Sequence, residues 1–262
     1  MKQKLGPYIK PQSLIKLEES GIDVMQIGFR IDYDYPWHTT PIDVIPFAAT
    51  GGDACHFGFI TDFGKSPDLE KAPIVFCSPT DYSDDKPERG CILFAENFID
   101  FLSIMTQITY AEIIRFEDLR TFDFDKSILQ IKGELTEEEI IKQNDVITQI
   151  KSIITLNKIV DYNSYYQNLY NARATDEYIA TKDNLNIKYD KKSYQIEELK
   201  TPLEPEELNE WLLSVNLESR LKFYRDVNTM YRDDTLIAEL MLEHLKKDGL
   251  IYESDFMIKK LN

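Results

Sequence analysis

Several things are scarce in this 262-residue chain, and each shortage excludes something. Cysteine occurs three times, at Cys55, Cys77 and Cys91, an odd number without a CxxC pair. No disulfide framework is expected from that pattern, and reduced thiols suit a cytoplasmic protein. Histidine also occurs three times, at His38, His56 and His244, never at the spacing of a metal-ligand pair. Cys55 and His56 adjoin with Asp53 nearby, but consecutive residues of a strand point to opposite faces, so no metal or other cofactor is expected there. Basic residues are outnumbered, 30 against 46 acids, for a formal net charge of −16. Neutralising phosphates needs clustered Lys and Arg, which argues against nucleic acid and against an anionic membrane as partners. Long apolar runs are missing as well. The stretch over residues 98–105 is far shorter than the ~20 residues of a membrane span. The first 21 residues lack the apolar core of a secretory signal.

What remains is an ordinary globular mixture, 43% hydrophobic and 29% charged. Residues 22–33 alternate apolar and polar, the period of a half-buried strand. Pro36, Pro41 and Pro46 then impose a loop, pinned by Trp37 and Phe47. Gly51 and Gly52 mark a turn before a short strand over residues 56–61. A second strand over residues 72–79 is apolar throughout, the pattern of burial on both faces. An acidic loop carrying Asp81, Asp84, Asp85 and Glu88 comes next. Phe94, Phe98, Phe101, Leu102 and Met105 then form one helical stripe. Further on, Thr136 and Glu139 have capping-box spacing at the head of a helix reaching about residue 156. Residues 161–205 read mainly as a polar connector with one short helix. Three amphipathic helices complete the chain, the last ended by Gly249. The expected architecture is α+β: an α+β domain over residues 1–125, mainly antiparallel sheet covered by helices, and a mainly helical region over 126–262.

Catalytic signatures are incomplete wherever they begin. "GFITDFGKS" lacks the four-residue spacing of a phosphate loop, and Pro67 breaks any helix after Ser66, so it reads as a turn after a strand. Asp81, Asp84 and Asp85 lack the spacing and glycine of a calcium loop. Cys55 with His56 and Asp53 has no local signature of a thiol enzyme; a buried structural cysteine is the commoner case.

One ordered series stands out. Ile45-Pro46-Phe47 opens a strand, Gly51-Gly52-Asp53 makes the next turn, a proline-bounded apolar strand succeeds it, and Ala95, Phe98, Phe101 and Leu102 mark a closing helix. Over residues 40–106 this resembles the SUKH superfamily of fungal cell-wall-synthesis regulators and bacterial immunity proteins. The resemblance implies a sheet covered by helices and a non-enzymatic, protein-binding role, in bacteria typically the neutralisation of a toxin, often a nuclease. A basic toxin is a partner onto which an acidic chain is electrostatically steered. The expected contact residues are Tyr35, Trp37, Asp81, Asp84, Asp85 and Glu88. Two other readings stand beside this one: a regulatory scaffold of the same fold, and an enzyme with a site around Asp53 and His56.

Overall fold

The computed structural model describes residues 4–33, 37, 39–83, 86–109, 118–189, 195–199, 204–227 and 235–261. A small hairpin, β1 (Lys4–Leu5) and β2 (Tyr8–Ile9), leads into helix α1 (Gln12–Ser20). The main sheet then runs through β3 (Arg30–Ile31), β4 (Val44–Ala49), β5 (His56–Ile60), β6 (Ile74–Cys77) and β7 (Cys91–Ala95). Each strand pairs antiparallel with the next, so the order in the sheet is the order in the chain. Helices α2 (Phe98–Ile108), α3 (Phe124–Glu134), α4 (Glu137–Ile153) and α5 (Tyr162–Ala172) come after the sheet. A second hairpin, β8 (Tyr178–Ile179) and β9 (Ile187–Lys188), precedes α6 (Pro205–Ser214), α7 (Leu217–Asp226), α8 (Thr235–Lys247) and α9 (Ile251–Leu261). The fold is α+β with a helical C-terminal region.

Aromatic packing explains why α2 closes the sheet. Phe98, Phe101, Leu102 and Met105 of the predicted stripe are buried on α2, whereas Phe94 and Ala95, assigned to the same helix from the sequence, lie in β7. The Phe101 ring lies 5.0 Å from Phe29, 5.2 Å from Phe47 and 4.9 Å from Phe57. Offset and edge-to-face contacts of this kind add to the area they bury. Gly58, in the middle of β5, has a packing reason of its own: a Cβ there would sit 2.4 Å from Val44 Cγ1 and 3.1 Å from the Ile45 carbonyl oxygen. The capping box on α4 forms as the spacing predicts, with Thr136 N donating to Glu139 Oε2 at 2.8 Å.

Five expectations need correction. The loop read from the prolines ends before Pro46, because Pro46 and Phe47 lie in the fully buried strand β4, whose register with β5 shifts just after Pro46. Residues 22–33 are not one strand. Asp23 caps a 3₁₀ turn at Val24–Ile27, Gly28 ends it with φ +91°, and only Arg30–Ile31 is extended. Met25 is exposed while Val24, Ile27 and Phe29 are buried, so a turn has produced an approximate alternation. The cysteines are not three thiols. Cys77 and Cys91 face each other in the β6–β7 register and are joined as a disulfide, leaving Cys55 free and buried. Antiparallel pairing creates this adjacency between residues 14 apart, which CxxC spacing does not detect. The connector holds the β8–β9 hairpin as well as α5. Lastly, α9 is a further helix, beyond the three that the periodicity predicts at the C-terminal end.

Burial falls into two hydrophobic clusters, and they do not divide at residue 125. One holds the sheet and α1 to α5, from Leu5 to Leu169, together with Leu185. The other holds the second hairpin and α6 to α9, and it takes Ile42 and Phe63 from the sheet side. Between the two lies a seam of buried charge. Asp43 and Asp62, each next to one of those borrowed apolar residues, are fully buried. Arg225 donates to Asp43 Oδ2, and its other terminal nitrogen lies 3.3 Å from Asp183. Arg173 grips Asp62 at 2.5 and 3.2 Å and also donates to the carbonyls of Leu185 and Asn186, each at 2.7 Å. The Thr61 amide and hydroxyl both donate to the Asp43 carbonyl, at 2.9 and 2.8 Å, tying the two acidic positions together. Burial opposes the charge on Arg225, but the carboxylates around it outweigh that and raise its pKa, so it is charged in the seam.

Candidate functional site: an acidic cleft beside the seam

The loop between β6 and β7 forms one wall of a cleft of about 230 Å³. Asp81, Glu88 and Arg89 come from that loop. Phe76 and Ile92 of the sheet supply apolar surface, as does the ring of Tyr170 from α5. The turn after residue 117 adds Asp118 and Arg120, and the β8–β9 loop adds Asp183 and Asn184. Four carboxylates thus meet two guanidinium groups. One of those pairs is closed on itself: Arg120 donates to Asp118 through Nε at 2.8 Å and Nη2 at 2.7 Å, which lowers the Asp118 pKa. The same guanidinium lies 5.0 Å from the centre of the Tyr170 ring. Burial raises the Tyr170 hydroxyl to about 12, so the ring presents a neutral phenol at physiological pH. Asp183 accepts from Thr181 at 2.6 Å and from the Leu185 amide at 3.0 Å, and faces Arg225 on its other oxygen. The cleft therefore shares a residue with the charged seam.

A second, much smaller cavity of about 20 Å³ adjoins it through Asp183. Here Thr39 and Pro41, from the loop after Trp37, meet Tyr82, Pro87 and Gly90 from the acidic loop. Cys91 and Lys182, with Arg225 and Asp226 of α7, complete the lining.

Of the residues expected at a contact surface, Asp81 and Glu88 line the cleft and Trp37 is exposed two positions before its neighbouring loop. Tyr35, Asp84 and Asp85 lie outside the described residues. The loops bearing Trp37 and Asp81 are thus brought side by side. Asp118, Arg120, Tyr170 and Asp183 were not anticipated. They sit 37 to 102 positions after Asp81 and carry no local signal that they share a cleft with it.

Gly51 and Gly52 occupy a turn as expected, but the conformational demand falls on Gly51, with φ +91°. Beyond Gly52, whose φ is not positive, Asp53 and Ala54 are left-handed as well, at φ +47° and +58°. A Cβ at Gly51 would lie 2.8 Å from Met25 Cε.

The site suggested by Asp53 and His56 has a different character. Asp53 is exposed in the turn, whereas His56 is fully buried in β5. Its Nδ1 hydrogen is donated to the Ala54 carbonyl at 2.9 Å, which leaves Nε2 to accept from the Thr40 hydroxyl at 2.9 Å. Burial lowers its pKa to about 4. The ring is a neutral, hydrogen-bonded core histidine, a poor proton shuttle at neutral pH. Among the described residues, no group of three or more His, Cys, Asp and Glu side chains is placed to hold a metal ion. No described helix is long and apolar enough to cross a membrane.

No protein-family model matches this chain, and no curated protein matches it. The geometry of the cleft is therefore the main ground for a functional reading. With Asp118 bonded to Arg120 and Asp183 to Arg225, the rim at Asp81 and Glu88 over Phe76, Ile92 and Tyr170 suits a lysine or arginine side chain, with the aliphatic stem on the apolar surface and the cation at those two carboxylates.

Proposed function

We propose that this chain is a non-enzymatic protein-binding module, an immunity protein of the SUKH kind that neutralises a basic toxin by direct contact in the cytoplasm. The observation that carries the reading is the placing of Asp81 and Glu88 at the rim of a cleft with apolar walls, beside the loop of Trp37. The net charge of −16 adds long-range attraction to a cationic partner. Affinity comes mainly from anchors that lose their water on docking, and exposed Trp37 and the apolar cleft surface are of that type. Rim charges set the encounter rate and its salt dependence.

Co-expression with toxin-like proteins encoded beside its gene tests the proposal. Protection of the host together with an isolable complex supports it. Failure to protect against any of them, with no complex formed, contradicts it. A stable complex with a housekeeping protein of the same cell would favour a regulatory scaffold instead. The cytoplasmic part has a test of its own. The Cys77–Cys91 disulfide of the fold stands against that part. Thiol labelling in cells that finds both cysteines largely reduced supports the cytoplasm. An intact disulfide there contradicts it, because glutathione and thioredoxin keep cytosolic thiols reduced.

A further inference from the structure

We propose that the cavity between α5, the β8–β9 hairpin and the turn before β6 binds a small organic anion, a carboxylate or phosphate head on an apolar or aromatic body. Its volume is about 420 Å³, larger than the acidic cleft and within the range of small-molecule sites, and it shares no lining residue with that cleft. In a chain of net charge −16, three cations line it against one carboxylate: Lys71, Arg173 and Lys188 against Glu96. They come from three separate places in the sequence, the turn before β6, the C-terminal end of α5, and β9.

The parts have distinct tasks. Arg173 is 3% exposed, is fixed by Asp62 and two carbonyls, and lies 4.8 Å from the centre of the Tyr178 ring. Asp62 balances its charge, so Arg173 acts as a rigid wall that holds the ring of Tyr178. The attraction falls to Lys71 and Lys188, both exposed. Lys71 has a contact with Asp68 at 3.4 Å, with side chains 84% and 56% exposed, a pairing that a ligand can replace at little cost. Leu169 and Pro73 offer apolar surface for the body of the ligand, beside Tyr165 and Tyr178. Two exposed lysines at the mouth of a bounded, open cavity suit a small anion, whereas a nucleic acid needs an extended basic track.

Titration of the full chain with adenosine monophosphate, phenylacetate and inorganic phosphate, followed by calorimetry and amide NMR shifts, tests this. Saturable binding of either organic anion is expected, tighter than inorganic phosphate, with shifts centred on Tyr178 and Lys188. The K71E/K188E variant changes only exposed side chains, and should weaken that binding at least about tenfold without altering thermal unfolding. The proposal would be overturned by no saturation by either organic anion, by inorganic phosphate binding as tightly as both, or by unchanged affinity in the variant. Shifts centred away from Tyr178 and Lys188 would do so as well, independently of how the variant folds.

Discussion

The two hydrophobic clusters are held by different forces. In the first, Phe101 and its aromatic neighbours fill the space between the sheet and α2, and stability comes from apolar area and shape. The second cluster is joined to the sheet by Ile42 and Phe63, and each of these is next to a carboxylate that an arginine must meet. The first cluster tolerates changes that keep its volume. The junction with the second requires particular partners, because a buried ion pair gains little over an apolar pair while a half-broken one is costly. The acidic cleft lies against that junction through Asp183.

Substitutions can break this contrast or sharpen it. Phe101→Ala should cost the most, about 4 kcal/mol in urea unfolding, by leaving a cavity among rings that cannot collapse onto it. Arg225→Met should cost about 3 kcal/mol, since Asp43 is left buried without its cation. Adding Asp43→Leu should recover most of that loss. Failure of the double variant to recover would erase the distinction between the clusters.

Glu253 of α9 adds a pH dependence to the second cluster. Burial raises its pKa from 4.5 to about 7, so the folded state binds this proton more tightly than the unfolded chain does. Its contribution is accordingly fully present below pH 4.5 and is lost as pH rises through 7. Glu253→Gln should therefore raise stability at pH 8 by roughly 2 kcal/mol and change little at pH 4, as read by urea midpoints. The smallest expected effect is at the β4–β5 turn. Gly51→Val should cost about 1 kcal/mol through its positive φ, while Gly52, whose φ is not positive, should accept valine with less loss.

Much of the first cluster was legible in the sequence, because its signals are local. The stripe from Phe98 to Met105, the apolar run of β6, the turn glycines and the Thr136–Glu139 capping box each declare themselves within a dozen residues. Residues 22–33 misled because a capped 3₁₀ turn happens to bury nearly alternate positions. The seam was not legible. Asp43 and Arg225 are 182 residues apart, Asp62 and Arg173 are 111 apart, and nothing in the local pattern marks these acids as buried. The site was half legible for the same reason. Asp81 and Glu88 announced themselves as an acidic loop, while Tyr170 and Asp183 join them only through tertiary packing.

Affinity for a basic nuclease toxin recovered by co-expression, compared between the natural chain and the D81K/E88K variant, tests the central claim most directly. Both side chains are partly exposed at the cleft, so the variant should fold normally. The account predicts at least about a tenfold loss of affinity, carried largely by slower association and diminished at high salt. Equal affinity at low salt for the natural chain and the charge-reversed variant would contradict it.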